Sequence, residues 1–203
     1  MSRGPSSWRR ALAAALATDP GRRIAARPSE IRAAVLVFLL EEPGKLDLVL
    51  ERRSDDLPNH AGQFAFPGGA VDPEDRSPEE TALREAWEEI GLEPSAVEIL
   101  GLLSDIRTPT GYVITPVVGV ASGPLEFRSS PEEVARILRV PAGILFQEGA
   151  FRPVRRRTGG LLITSVALVY EGEVIWGATA RVLLSLRRVL AHLPGPWLAC
   201  RGD

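Results

Sequence analysis

The chain has 203 residues, 45% of them hydrophobic, and its 24 basic and 26 acidic side chains leave a formal net charge of −2. This length and composition predict one folded domain with a short appendage, and they exclude a wholly disordered chain. The near balance of charges argues against nucleic-acid binding. The longest apolar run, Ala33–Leu40, is too short to span a membrane as a helix. The chain has a single cysteine, Cys200, which excludes an internal disulfide.

Residues 1–30 are predicted to form a helical extension outside the main domain. Trp8, Leu12 and Leu16 recur at helical spacing on one face, and Asp19-Pro20-Gly21 ends the helix. The arginine and alanine content also fits a mitochondrial transit peptide, which stays as an alternative. Because arginine outnumbers lysine by 23 to 1, we favour a cytoplasmic protein from a bacterium with a high-GC genome.

The rest of the chain alternates between apolar strands and amphipathic helices. Strands are predicted, in chain order, at Ile31–Leu40, Leu46–Arg53, Gln63–Phe66, Val97–Asp105, Val113–Ala121, Glu133–Val140 and Leu161–Tyr170. Helices are predicted at Pro78–Ile90 and Ala178–Leu193. This order predicts an α/β or α+β fold, with one domain over residues 31–193 and a tail at 194–203.

The helix at Pro78–Ile90 carries several end signals. Ser77 is the predicted N-cap, Pro78 occupies the first helical position, and Glu80 would complete a capping box. Gly91 follows as the expected left-handed cap. These local signals predict where the helix begins and ends.

Acidic residues are concentrated in and before this helix, with nine of the chain's 26 between positions 72 and 93. Glu88 and Glu89 follow Glu85 by three and four residues, so all three project from one sector of the helix. Mg²⁺ or Mn²⁺ would relieve their repulsion, and a carbonyl of the preceding pair Gly68-Gly69 can complete such a site. The alternative is a solvated, charged helix face.

The segment Gly68–Leu92 resembles the Nudix box, the signature of the Nudix hydrolases. Gly69 opens the motif, and Arg84–Leu92 (REAWEEIGL) closes it without a gap. Asp75 stands where the first glutamate belongs, one residue farther from the arginine than in the usual motif. The resemblance implies a Nudix fold, in which a mixed β-sheet is sandwiched between helices and the box forms a loop–helix–loop.

The same resemblance implies metal-dependent hydrolysis of a diphosphate linked to a nucleoside. The implied Mg²⁺ or Mn²⁺ ligands are the Gly69 carbonyl, Glu85, Glu88 and Glu89. The three glutamates would take part in catalysis, and Arg84 would orient one of them. Glu133 is the candidate for an additional base; the alternatives are that a box glutamate is the base and that Glu133 is an exposed residue leading a strand.

The preceding stretch, Arg52–Gly69 (RRSDDLPNHAGQFAFPGG), is similar to the element before the box in coenzyme A pyrophosphatases. Glu51 replaces a threonine of that element, and Pro58 replaces an arginine. With weaker matches downstream, the resemblance covers about residues 30–190. It implies cleavage of coenzyme A, or of its acyl derivatives, and the products of coenzyme A itself would be 3′,5′-ADP and 4′-phosphopantetheine.

A substrate of this kind needs a cation for its 3′-phosphate. Arg53 is the first candidate and the run Arg155–Arg157 the second, while His60, Gln63 and Gly68 are expected to line the binding site. The family also implies a homodimer. Two alternatives stay open: a broader hydrolase of ADP-ribose, NADH or a nucleoside triphosphate, and a non-catalytic module that binds a nucleotide.

Overall fold

The computed structural model describes residues 7–57, 60–158 and 161–195. Its helices are α1 (Ser7–Thr18), α2 (Pro78–Ile90) and α3 (Gly177–Leu190). Its strands are β1 (Ile31–Glu42), β2 (Lys45–Arg53), β3 (Phe64–Ala65), β4 (Gly68–Ala70), β5 (Glu98–Leu102), β6 (Ile106–Arg107), β7 (Tyr112–Ser122), β8 (Val134–Pro141), β9 (Phe151–Thr158), β10 (Leu161–Tyr170) and β11 (Glu173–Trp176). No helix in these ranges combines the length and the apolar character that a membrane span requires.

A mixed sheet forms the centre of the fold. Its strands run in the order β3-β2-β1-β7-β5, with β8 paired to β2, β4 to β1 and β6 to β7. The pairing of β1 with β7 is parallel, and the other pairings in this sheet are antiparallel. A second, antiparallel sheet has the order β11-β10-β9.

Helices cover both faces of the mixed sheet, as the sequence predicts. On one face, Ala82, Ala86 and Ile90 of α2 pack with Leu36 and Phe38 of β1. On the other face, α1 and α3 share a core with β1, β2 and the smaller sheet. Strand β1 is buried on both faces because its apolar residues do not alternate with polar ones.

Helix α2 has the predicted boundaries. The Ser77 side chain accepts a hydrogen bond from the Glu80 amide at 3.3 Å, and Gly91 adopts a left-handed conformation with φ of 67°. The capping box differs from the prediction, since the Glu80 carboxylate accepts from the amide of Arg76, one residue before the cap, at 2.8 Å. The Arg76 side chain pairs with the same carboxylate, which holds it at that position.

Helix α1 is packed into the core rather than standing apart from the sheet. Trp8, Leu12 and Leu16 are buried, and Leu16 lies against Gly101 of β5, where a Cβ would come within 2.8 Å of it. Arg9 of the same helix is buried beside the carboxylates of Glu41 and Glu98. The N-terminal helix therefore covers one face of the sheet.

Four strands were not predicted from the sequence, and two predicted ends lie three residues too far along the chain: helix α3 ends at Leu190 rather than at Leu193, where a turn follows, and strand β5 also ends early. The missed strands are β4, β6, β9 and β11, most of which are short and depend on a neighbouring strand for their hydrogen bonds. Strand β5 ends at Leu102 rather than at Asp105. The Asp105 carboxylate turns inward, where it accepts hydrogen bonds from the Ile24 amide at 2.7 Å and the Thr115 hydroxyl at 2.9 Å.

Candidate active site

The glycine pair of β4 lies directly against the carboxylates of α2. The Gly68 amide donates to Glu89 Oε2 at 2.8 Å. Gly68 has a φ of 155°, and a Cβ there would lie 2.3 Å from the Ala34 carbonyl oxygen. A Cβ on Gly69 would lie 2.5 Å from Glu85 Oε1. A side chain at Gly68 would collide with strand β1, and a side chain at Gly69 would displace the Glu85 carboxylate of α2, so glycine at these positions allows β4 to approach both neighbours closely.

Arg84 is the hydrogen-bonding centre of the site. Its guanidinium donates to both carboxylate oxygens of Asp75, at 3.2 and 3.0 Å, and also to Glu85 Oε1 at 2.9 Å and Glu88 Oε2 at 3.1 Å. A further bond of 3.2 Å reaches the Ala70 carbonyl. Asp75, which departs from the usual motif, thus fixes the arginine, and the guanidinium lowers the pKa of Asp75 to about 2.

Two further carboxylates, those of Glu51 and Glu89, are buried beneath the residues that contact Arg84. Burial, reinforced by the charge of Glu51, raises the pKa of Glu89 to about 9. Burial also raises the pKa of Glu51 to about 7, against the opposing effect of the Arg53 guanidinium. Arg53 Nη1 lies 3.6 Å from Glu89 Oε1 and 3.7 Å from Glu51 Oε1, so one cation faces two buried acids.

Glu51 also belongs to this site, although its sequence position indicated only that it replaces a threonine. Its side chain is 1% exposed, no N–H group of the described residues donates to its carboxylate, and the Glu89 carboxyl lies within hydrogen-bonding reach. The signal that was available is an acidic residue within the apolar strand LDLVLERR. A buried carboxylate at such a position needs a compensating charge or proton, which marks it as a functional candidate.

Glu85 and Glu133 lie at the edge of the acidic group, by which we mean the carboxylates of Glu51, Glu85, Glu88, Glu89 and Glu133. Burial raises the pKa of Glu85, Arg84 opposes the rise, and the charges of Glu88 and Glu133 add to it. Glu133 is exposed, and its carbonyl accepts from the Ser54 amide at 2.7 Å, which ties the start of β8 to the end of β2. The structure therefore brings Glu133 to the same group of carboxylates from a distant part of the sequence.

The residues expected to bind substrate are only partly brought together. The Arg53 amide donates to the Gln63 carbonyl at 3.0 Å, and His60 Nδ1 lies 3.1 Å from Gln63 Oε1 on the exposed surface. Arg155 is exposed on β9 in the smaller sheet, apart from the sheet whose strands carry the acidic group. Pro58 and the side chains of Arg156 and Arg157 lie outside the described residues.

The donor chemistry of the acidic group fits a hard divalent cation. Carboxylate and carbonyl oxygens are the ligands that Mg²⁺ and Mn²⁺ prefer, and the buried oxygens of Glu51 share the Arg53 guanidinium with Glu89, which leaves two acids for one cation. In the described ranges, no three Asp, Glu, His or Cys side chains are grouped closely enough to hold an ion between them. Arg84 and the Gly68 amide instead occupy oxygens of the helix carboxylates.

Comparison with known proteins agrees with this architecture. Residues 30–149 match the family model of the NUDIX domain. An uncharacterized Nudix hydrolase of Escherichia coli strain K12, NudL, is 40% identical over 155 residues, which cover 76% of this chain and 80% of NudL. The crystal structure of RenU, a Nudix hydrolase from M. smegmatis, matches with a TM-score of 0.56 at 22% identity, over 82% of this chain and 89% of RenU. A MutT/nudix family protein from Enterococcus faecalis matches with a TM-score of 0.53 at 18% identity, over 89% and 70% of the two chains. The two structural matches show a shared fold.

Proposed function

Because this chain belongs to the Nudix hydrolase family, which cleaves nucleoside-linked diphosphates with the help of divalent metal ions, we propose that it hydrolyses coenzyme A. The products would be 3′,5′-ADP and 4′-phosphopantetheine, from attack of water on one phosphorus of the diphosphate. The proposal is supported chiefly by the position of the segment Arg52–Gly69, which resembles the element of coenzyme A pyrophosphatases. Near one end of this segment the Arg53 guanidinium lies beside the Glu89 carboxylate, and near the other end the Gly68 amide donates a hydrogen bond to it.

The metal ligands in this proposal are oxygens of β4 and α2. They are the Gly69 carbonyl and the carboxylates of Glu85, Glu88 and Glu89. When bound, the ion would neutralise the diphosphate and lower the pKa of a coordinated water. Arg84, anchored by Asp75, keeps the Glu85 and Glu88 carboxylates oriented.

Glu133 is our proposed general base. Its carboxylate is exposed at the edge of the acidic group, whereas Glu85 and Glu88 accept hydrogen bonds from Arg84 and Glu89 is buried. A base must reach the attacking water and accept its proton at an accessible oxygen. The solvent-facing carboxylate of Glu133 meets that requirement when a diphosphate binds at the acidic group.

Arg53 is the proposed cation for the 3′-phosphate. Its side chain is 26% exposed, so part of the guanidinium faces solvent while Nη1 faces Glu51 and Glu89. An arginine can bind a phosphate through two parallel hydrogen bonds, which gives orientation as well as affinity. His60 and Gln63, on the exposed loop that follows β2, would line the same side of the site.

A product assay tests the proposal. Purified protein is incubated separately with coenzyme A, dephospho-coenzyme A, ADP-ribose and NADH in the presence of Mg²⁺ or Mn²⁺, and products are separated by chromatography. We expect 3′,5′-ADP from coenzyme A, with slower turnover of the other substrates. A Glu85→Gln variant that folds normally serves as the control, because its turnover should fall by orders of magnitude.

The other outcomes would point to the alternatives. AMP from ADP-ribose or NADH without turnover of coenzyme A would contradict the substrate assignment and indicate a broader Nudix hydrolase. An absence of turnover with every substrate, combined with tight nucleotide binding, would indicate a non-catalytic module.

A further inference from the structure

Glu51 stands out as a buried acid that the proposed mechanism does not use. It lies in β2 on the side of the sheet that faces α2, since Leu48 and Leu50 belong to the core on the opposite side and Val49 to the core under α2. Its side chain is 1% exposed, no N–H group of the described residues donates to either carboxylate oxygen, and the neighbouring group within hydrogen-bonding reach is a second acid, Glu89. A buried carboxylate that faces another carboxylate is costly, so this position needs an explanation.

Asp47, in the same strand, is a buried acid with a purely structural role and serves for comparison. It is also fully buried, four residues earlier on the same side of β2. Its Oδ2 lies 2.9 Å from Lys45 Nζ and 2.8 Å from the Arg139 guanidinium, so two cations compensate it. Among the described residues, the cation that pairs with Glu51 is Arg53, whose Nη1 lies 3.7 Å from it and 3.6 Å from Glu89.

The charge around Glu51 is therefore strongly negative. The negative charges of Glu85 on α2 and of Glu133, just before β8, act on it, and the Glu89 carboxyl lies within hydrogen-bonding reach, whereas the Arg53 guanidinium opposes the two charges. Buried like charges of this kind are stable only when a proton or a cation is shared among them. A divalent cation with a preference for carboxylate oxygens supplies the larger compensation.

We propose that Glu51 is a further ligand for the divalent cation of this site, an inference that rests on the proposed metal-dependent function. It would extend the ligand set from α2 and β4 to strand β2, so that the ion is bound by the helix and by two strands of the sheet. Asp75 is not available for such a role, because Arg84 holds its two carboxylate oxygens.

Direct measurement of metal binding tests this inference without relying on turnover. Mn²⁺ binding to the full chain, free of substrate, is followed by electron paramagnetic resonance and by isothermal titration calorimetry. We expect Glu51→Gln, which keeps the size of the side chain, to raise the Kd for Mn²⁺ by about tenfold or more. Glu51→Thr should do the same, and it provides a second variant of smaller volume in case the glutamine form folds poorly.

Asp47→Asn is the matched control, because it removes a buried negative charge from the same side of the same strand without touching the site. It should leave the Kd for Mn²⁺ unchanged, while Glu85→Gln should raise it. Unchanged affinity in both Glu51 variants, together with weaker binding in Glu85→Gln, would overturn the role of Glu51 and leave the proposed function standing. If the unmodified chain binds no Mn²⁺, the proposed metal-dependent function fails and the role of Glu51 with it.

Discussion

Replacing Gly69 by alanine should displace the Glu85 carboxylate while leaving the fold intact. The new Cβ would lie 2.5 Å from Glu85 Oε1 and 2.6 Å from Oε2, where ordinary contact begins at 3.4 Å. The carboxylate must therefore retreat by about 1 Å, and its 2.9 Å hydrogen bond from Arg84 must lengthen or break. Gly69 has no positive φ, so alanine fits the backbone without strain.

A displacement of this size should reduce kcat by about 100-fold, because catalytic groups must be placed to within less than an ångström. The melting temperature should change little, since the clash involves the end of a flexible side chain at the edge of the site. The measurements are kcat for the best substrate and thermal unfolding followed by circular dichroism. Ala70→Ser, at the exposed neighbouring position of β4, is the control and should alter neither quantity.

A double-mutant cycle decides whether the effect acts through Glu85. When Glu85 is already alanine, the carboxylate that clashes is gone, so Gly69→Ala should add almost no further loss of kcat or of Mn²⁺ affinity. An equally large additional loss in that background would refute the reasoning, because the glycine would then matter for something other than its contact with Glu85.

Four further predictions follow from the same geometry. Asp75→Asn should destabilise the protein by about 1 kcal/mol at pH 7. The pKa of Asp75 in the folded protein, about 2, lies below its usual value of 3.8, so the ionised carboxylate stabilises the fold above this interval. The difference in unfolding free energy between variant and wild type should therefore disappear as the pH falls from 3.8 to about 2. Arg53→Ala should raise the KM for coenzyme A more than for dephospho-coenzyme A, and equal increases would exclude a contact with the 3′-phosphate. Glu133→Gln should lower kcat by about 100-fold or more at unchanged Kd for Mn²⁺, whereas weakened Mn²⁺ binding would make it a ligand instead of a base. Leu16→Ala should destabilise the whole domain by about 2–5 kcal/mol in chemical denaturation, and a negligible effect would show that α1 is dispensable for the fold.

The features of α2 that are encoded locally were predictable from the sequence. Its N-cap, first-turn proline and terminal glycine act over a few residues of the chain, and the structure has the helix at the predicted bounds. The arrangement of helices on both faces of a mixed sheet was likewise predicted, through the resemblance to the Nudix box. The short strands were not, because a two-residue strand such as Ile106–Arg107 exists only through its pairing with a longer neighbour.

The acidic group shows the same division between local and tertiary information. Periodicity along one helix is enough to place Glu85, Glu88 and Glu89 on the same sector, since three or four residues complete a helical turn. The role of Asp75 as the anchor of Arg84 depends on how the loop before the helix folds back, which no spacing rule specifies.

The sequence alone determined the family resemblance, the acidic helix and the glycine pair before it, because these reside in one continuous segment. Only the tertiary structure brought Glu51 of β2 beside Glu89 of α2 and placed Arg53 between them and solvent. Glu89 is far along the chain from Glu51 and Arg53, and its proximity to them results from packing α2 on the sheet. Burial of a charge is a property of that packing, so the raised pKa values of Glu51 and Glu89 arise only when strand and helix meet.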